Sequence, residues 1–137
     1  MKTKLPTDKQ KIDRLTAWIK ALRSGEYKQA RYVLRHEDNF CCLGVACDIF
    51  RKRTKLGSWV SNLYQEHNKD FKLSKSKESE VMIRGVYQYF GFKEGNPQDS
   101  DKNESSLASL NDRGKSFKFI ANVIEKVYLE PLLNKKK

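Results

Sequence analysis

Three cysteines are the residues of this sequence best suited to chemistry. Cys41 and Cys42 are adjacent in the segment NFCCLGVACDIF (39–50), and the third cysteine follows after four intervening residues. A thiol at the first turn of a helix has a lowered pKa, because the peptide dipoles there favour the thiolate. Cys41 and Cys42 are therefore candidates for the nucleophile of a cysteine-dependent hydrolase or transferase, which would also need a base.

The surroundings of these cysteines favour packing over catalysis. Neither His36 nor His67 stands in a local signature for a catalytic base, and Cys-Cys-Leu-Gly matches no catalytic-cysteine motif. The C-C-x4-C spacing also lacks the paired ligands of a structural zinc site. We therefore expect a non-catalytic binding protein without metal or cofactor. Catalysis by Cys41 or Cys42 is the alternative.

A second candidate site lies between Tyr27 and Arg35, where the period of the sequence changes to two. Ala30, Tyr32 and Leu34 are predicted to face the core from one side of a strand. The opposite side would display four polar residues: Tyr27, Gln29, Arg31 and Arg35. Guanidinium forks hold phosphate and an aromatic plane stacks on a base, so we predict a ligand-binding face for an anionic nucleotide or nucleic acid. An ordinary solvated strand face is the alternative.

Two further polar residues, Asn111 and Asp112, lie at the end of a short predicted helix. They are candidates for ligand contacts that close the same site. They are equally suited to a polar cap at the end of that helix, and the sequence does not decide between the two roles.

Hydrophobic spacing predicts four to five helices that must position these residues. Thr7 and Gln10 form a capping box at the first helix, and Gly25 follows where a left-handed cap would end it. The predicted helices run from Thr7 to Gly25, Cys42 to Arg53, Lys77 to Phe90, Leu107 to Gly114, and Ser116 to Pro131, which is expected to limit the last one.

The remaining segments predict a small sheet and loops. Tyr27 to Leu34 and a short strand near Phe40 could form a hairpin, and residues 54–75 show no clear period. Residues 93–106 contain no apolar side chain apart from a single proline and predict a mobile polar loop, while 1–6 and 134–137 are predicted to be disordered basic ends. The fold class is thus α+β: residues 1–137 form a single small domain, mainly helical, with one small antiparallel hairpin or sheet.

The net charge of the chain is +11, and most of it lies near the ends. Residues 1–35 hold ten cations against three acids, and three lysines close the chain. Such a basic surface attracts phosphates in general without choosing among them. No apolar run reaches the roughly 18 residues of a membrane span, and no signal peptide is evident, so we expect a cytoplasmic protein with no membrane partner.

Four segments together resemble a family of small, mostly uncharacterised proteins of tailed phages and prophages. They are WIKALRSGEYKQARYVLR (18–35), FCCLGVACDIF (40–50), GVYQYFGF (85–92) and LASLNDRGKSFKFIANVIEKV (107–127). The resemblance implies a virus-encoded accessory protein in the host cytoplasm, and it assigns no residue a role. Such proteins commonly act by binding, either to a nucleotide signal used in host defence or to a host defence protein.

Two other modes of binding are compatible with the sequence. The segment SLNDRGKSF (109–117), between two predicted helices, faintly resembles a helix-turn-helix, although the second helix shows no arginine for the major groove. A protein inhibitor of a host factor would instead need an exposed apolar patch, which we expect around Trp59 and Tyr64. A homo-oligomer is compatible with either mode.

Overall fold

The computed structural model describes residues 5–73, 76–78, 81–100 and 105–135. The helices are α1 (Asp8–Ser24), α2 (Cys42–Thr54), α3 (Arg84–Tyr89), α4 (Leu107–Asp112), α5 (Phe117–Ile124) and α6 (Glu130–Asn134). The strands are β1 (Lys28–Gln29), β2 (Arg35–His36), β3 (Asn39–Phe40), β4 (Ser58–Ser61), β5 (Asn68–Leu73) and β6 (Ser76–Glu78). The domain is α+β and mainly helical, as the sequence predicts. The predicted disorder at 1–4 and 136–137 concerns residues outside those described.

The strands form one small mixed sheet in the order β1-β3-β2-β5-β4, with β6 beside β5. The antiparallel hairpin that the sequence predicts near Phe40 joins β2 to β3 through a tight turn in which Glu37 has a φ of 52°. The predicted strand from Tyr27 to Leu34 is wrong. It ends at Gln29, because Tyr32 adopts a φ of 73°, which is incompatible with a strand.

The first two helices begin and end where the sequence predicts. The Thr7 capping box is present at α1, and Gly25 ends that helix with a φ of 80°. At α2, the Sγ of Cys41 accepts a hydrogen bond from the backbone N–H of Gly44, at 3.4 Å. The sequence of cations Arg51, Lys52 and Arg53 occupies the last turn of α2, where the helix dipole favours positive charge.

Two other helices differ from their predictions. The third helix begins at Arg84 and not at Lys77, because Ser76–Glu78 pair with β5 as a strand. The last helix continues past Pro131 through a π-helical turn over Glu125–Leu129, so the expectation that this proline limits the helix is wrong. Pro131 lies in the first turn of α6, where its missing N–H is tolerated.

The core is built around Trp18, which is fully buried between α1 and α2. Its indole N–H donates to the backbone carbonyl of Cys42 at 3.0 Å. Aromatic rings extend from it in both directions as an unbroken series, each ring centroid 4.9 to 6.3 Å from the next. The series is Tyr27, Phe40, Trp59, Phe71, Phe50, Tyr89, Phe90, Trp18, Phe92 and Tyr128.

The polar loop at 93–106 is hydrogen bonded to the domain through its described residues. The N–H of Met82 donates to the carbonyl of Gly95 at 3.0 Å, and the N–H of Leu107 donates to that of Pro97 at 2.8 Å. Residues 101–104, the middle of the predicted mobile loop, lie outside the described residues. None of the described helices has the length and apolar character needed to cross a bilayer.

Candidate functional site

The three thiols are buried in the core. Cys41 caps α2 from its N-terminal side, and Cys42 points its Sγ towards the carbonyl oxygen of Leu107, at 3.6 Å. Burial raises the pKa of the Cys41 thiol to about 12, an effect larger than the stabilisation from the backbone N–H of Gly44. Burial also raises the pKa of Cys42 and Cys47. The thiols are therefore protonated at neutral pH, which disfavours the nucleophile hypothesis.

We expect native protein to leave all three thiols unmodified by Ellman's reagent at pH 8, while unfolded protein reacts at each. Because the pKa of Cys41 is higher in the fold than its ordinary value of 9.0, raising the pH from about 9 towards 12 should destabilise the protein. Absorbance at 412 nm and urea titrations between pH 8 and 11 measure the two effects. Rapid labelling of one native thiol would contradict the assignment and restore the enzyme alternative.

Asn111 connects α4 to the segment that follows β1. Its Oδ1 accepts from the side chain of Gln29 at 2.9 Å and from the backbone N–H of Cys42 at 3.1 Å. Its Nδ2 donates to the carbonyl of Ala30 at 2.7 Å. Asn111 is fully buried, so its amide holds this segment against α2 and has no exposed group to offer a ligand.

Asp112, the next residue, holds Tyr32 in an uncommon conformation. One carboxylate oxygen of Asp112 accepts the backbone N–H of Tyr32 at 2.7 Å. Tyr32 has a φ of 73°, which is an outlier for a bulky residue, and its side chain is 67% exposed. The fold thus presents an aromatic ring to solvent on a backbone that is fixed from α4.

A cleft of about 480 Å³ lies beside this ring. Its lining comes from the segment after β1, the start of α2, the loop before α4, and α4 itself. The polar residues of the lining are Tyr32, Asn96, Ser106, Ser109, Asp112 and Arg113, and the thiol residue Cys41 lies at its base. This volume is within the roughly 300 to 1,000 Å³ of small-molecule sites.

Two exposed arginines lie near this cleft: Arg113 belongs to its lining, and Arg31 precedes Tyr32 in the chain. Neither guanidinium group makes an ion pair or hydrogen bond with another residue of the described ranges. The guanidinium of Arg31 lies over Gly114, where its Nη2 would be 2.7 Å from an added Cβ. Gly114 follows Arg113 directly, so the two positive side chains come from neighbouring places on the surface.

The predicted row of Tyr27, Gln29, Arg31 and Arg35 does not form, because the strand that would have carried it ends at Gln29. The hydroxyl of Tyr27 donates to a carboxylate oxygen of Asp48 at 2.7 Å. Arg35 donates to the carbonyl of Glu37 at 2.6 Å, and its guanidinium carbon lies 4.8 Å from the centroid of the Phe40 ring. Of the six predicted ligand residues, Asp112 lines the cleft, and Arg31 lies over Gly114, next to the lining residue Arg113. Gln29 and Asn111 support the segment that carries Tyr32.

Asp48, beneath Tyr27, is a buried carboxylate that the sequence did not single out. Burial opposes its ionisation, but hydrogen bonds from Tyr27 and from the indole of Trp59 outweigh burial and lower the pKa of Asp48. The Nζ of Lys52 lies 3.2 Å from Oδ2 of Asp48, the same oxygen that accepts from Tyr27. Because its oxygens are hydrogen bonded within the fold, Asp48 joins α2 to the sheet and is not a candidate base.

Sequence reasoning missed Tyr32 and Arg113. Tyr32 was expected in the core because it alternates with Leu34, which is indeed fully buried. No side-chain pattern signals a left-handed tyrosine, since the residue that holds it, Asp112, is distant in sequence. Arg113 carries one usable signal: it precedes Gly114, whose φ of 90° ends the short helix, and a residue at such an end is usually exposed.

The expected apolar patch is smaller than the sequence suggests. Trp59 packs between Phe40 and Phe71, so it contributes little to the surface. Leu63 is 81% exposed and Tyr64 is 92% exposed, in the turn between β4 and β5. The helices α4 and α5 follow one another across Gly114, but α5 buries Phe117 and Ile120 against the core.

A family model described as Domain of unknown function (DUF8296) matches residues 9–128, a range that contains every described residue of the cleft. No curated protein and no solved structure matches the chain.

Proposed function

The chain belongs to the DUF8296 family of domains of unknown function, and we propose that it is a non-catalytic binding protein for an anionic nucleotide or nucleic acid. We propose further that a phage encodes it and that it acts in the host cytoplasm by sequestering a nucleotide signal of host defence. The phage origin and the defence role derive from the motif resemblance alone. The binding function has separate support in the cleft.

The observation that carries the binding function is the exposed ring of Tyr32 in a cleft that Arg113 also lines, with the exposed Arg31 next to Tyr32 in the chain. A tyrosine with a left-handed backbone costs roughly 1 to 3 kcal/mol of strain. Glycine at the same position would avoid this cost. Here the strained backbone of Tyr32 carries a ring that is exposed to solvent. Exposed aromatic rings that stack on a base contribute about 1 to 3 kcal/mol to binding.

The charges of the cleft favour one orientation of a nucleotide. Asp112 lines the cleft and repels phosphate, whereas Arg113 in the same lining is exposed and the exposed Arg31 lies over the neighbouring Gly114. A nucleotide would therefore place its phosphates on the arginines and its base against Tyr32. The hydroxyls of Ser106 and Ser109 offer hydrogen bonds to a sugar or a base edge.

We expect the double variant Arg31→Ala, Arg113→Ala to bind nucleotide at least about tenfold more weakly, because each arginine–phosphate contact contributes about 1.5 to 3 kcal/mol. Isothermal titration with ATP, GTP and a fluorescent single-stranded oligonucleotide measures the loss. The matched control is Lys20→Ala, Lys72→Ala, which removes two exposed cations that do not line the cleft. Equal affinities of the two double variants would overturn the proposal.

A second pair of variants separates stacking from general charge. Tyr32→Ala should lose binding, while Tyr64→Ala, which truncates an even more exposed ring elsewhere, should retain it. The dependence on salt then identifies the ligand class. Binding of a polymer weakens steeply as counterions are released, whereas binding of a single nucleotide in the cleft weakens less.

One observation favours a protein partner as the alternative function. Leu63 and Tyr64 are adjacent apolar residues that the fold leaves almost fully exposed. Adjacent exposed rings and aliphatic side chains are typical of interface anchors. Capture of a host defence protein by the wild-type chain, but not by Leu63→Ser, Tyr64→Ser, would favour an inhibitor over a nucleotide-binding protein.

A further inference from the structure

A separate groove of about 500 Å³ lies on the side of α1 that faces the C-terminal helices. Its floor is apolar and comes from α1, the segment that follows α3, the π-helical turn and α6. The floor residues are Leu15, Phe90, Phe92, Val127 and Leu132. None of these residues belongs to the cleft beside Tyr32, so the groove is an independent feature of the surface.

Three lysines surround this apolar floor: Lys11, Lys93 and Lys135. Lys11 and Lys135 share one carboxylate, that of Asp8, at nitrogen-to-oxygen distances of 3.9 and 3.6 Å. Both distances exceed the usual range of a hydrogen bond, so the N–H groups of these lysines stay available to another acceptor. Lys93 makes no ion pair with another described residue.

The remaining polar groups of the groove are compatible with a bound anion. Burial raises the pKa of Tyr128 to about 12, so its phenol is neutral and donates to the carbonyl of Gln98 at 2.5 Å. Glu94 is the one acid in the lining, against three lysines. The balance of charge on the lining is therefore positive, although its base is apolar.

We propose that this groove binds a small amphipathic anion, an aliphatic carboxylate whose chain lies on the apolar floor and whose head group contacts the lysines. A purely apolar ligand would leave the lysine N–H groups without an acceptor. A compact polar anion would leave the floor exposed to water. An aliphatic carboxylate satisfies both parts, since each buried methylene contributes about 0.8 kcal/mol and the charged head replaces the distant Asp8 as acceptor.

The test compares monomeric ligands that differ only in the head group. Isothermal titration below the critical micelle concentration should show binding of dodecanoate, with dodecanol and dodecyltrimethylammonium at least about tenfold weaker. Affinity should rise about fourfold for each methylene from octanoate to dodecanoate. Equal binding of the three head groups, or no binding of dodecanoate, would overturn the proposal. Binding to phosphatidylglycerol vesicles without binding of the monomeric acid would overturn it as well.

Variants then place the ligand in the groove. Lys93→Glu, Lys135→Glu should weaken dodecanoate binding at least about tenfold, and Leu132→Trp should fill the floor and weaken it similarly. Lys118→Glu is the control, because this exposed lysine of α5 does not line the groove. Arg31→Ala, Arg113→Ala should bind dodecanoate normally. Unchanged binding by both groove variants, with native circular dichroism spectra, would show that the ligand binds elsewhere and would refute the assignment.

Discussion

Replacing Gly44 with alanine is expected to lower the free energy of unfolding by more than about 3 kcal/mol, or to prevent folding. An added Cβ would lie 1.9 Å from the carbonyl oxygen of Leu34 and 2.8 Å from its carbonyl carbon. Both atoms belong to the backbone, and the Leu34 oxygen accepts the N–H of Cys41 at 3.1 Å. The segment cannot retreat without losing this bond and the burial of Leu34. Urea unfolding followed by circular dichroism measures the effect.

Gly25→Ala is the matched control. Gly25 has a φ of 80°, so alanine there is strained, but nothing lies within 4 Å of an added Cβ. We expect a loss of only about 1 to 2 kcal/mol. A Gly44→Ala variant no less stable than Gly25→Ala would show that the close approach of α2 to Leu34 is not needed by the fold.

The second large effect is expected at Asn111, where alanine should cost about 3 to 4 kcal/mol. The substitution removes three hydrogen bonds and leaves the N–H of Cys42 and the carbonyl of Ala30 without their partner, while the amide of Gln29 keeps its bond to the carbonyl of Lys115. Unsatisfied buried groups each cost about 1 to 3 kcal/mol. Chemical unfolding of the variant provides the measurement.

Asn122→Ala controls for the loss of an asparagine. Its Oδ1 accepts from Arg23 at 2.6 Å, but the residue is exposed on α5, so water can replace the bond. We expect a cost below about 1 kcal/mol. If both variants lose the same stability, the hydrogen bonds of Asn111 contribute no more than that of an exposed asparagine. Other contacts would then have to hold the segment of Tyr32.

The helices were predictable because their signals are local. The 3.6-residue spacing of apolar residues, the capping box at Thr7 and the glycine at position 25 together identify α1 with both of its ends. The start of α2 at Cys42 and the cap of α5 at Ser116 were also recognisable from the residues beside them. Each of these features depends on residues within one or two helical turns of one another.

The sheet and most of the candidate site depend on pairs distant in sequence, which periodicity does not reveal. β1 contains two residues and pairs in parallel with β3, a pairing too short for alternation to indicate. The hydrogen bond from the backbone N–H of Tyr32 to Asp112 holds the conformation in which the Tyr32 ring faces solvent. Alternation alone placed Tyr32 in the core, because it could not include the hydrogen bond from its backbone N–H to Asp112 in α4. It also placed Arg35 on a free face, although the Arg35 side chain bonds the carbonyl of Glu37 and lies over the Phe40 ring.

The series of ten rings places three tyrosines close to the two tryptophans, so their fluorescence is expected to be coupled. Tyr27, Tyr89 and Tyr128 are excited-state donors within transfer distance of Trp18 or Trp59, so their emission should appear largely as tryptophan fluorescence. Tyr128 at the end of this series lines the groove, and Trp59 belongs to the sheet. A ligand that contacts Tyr128 in the groove is therefore expected to change the intrinsic fluorescence of the protein, which can be followed without an attached dye.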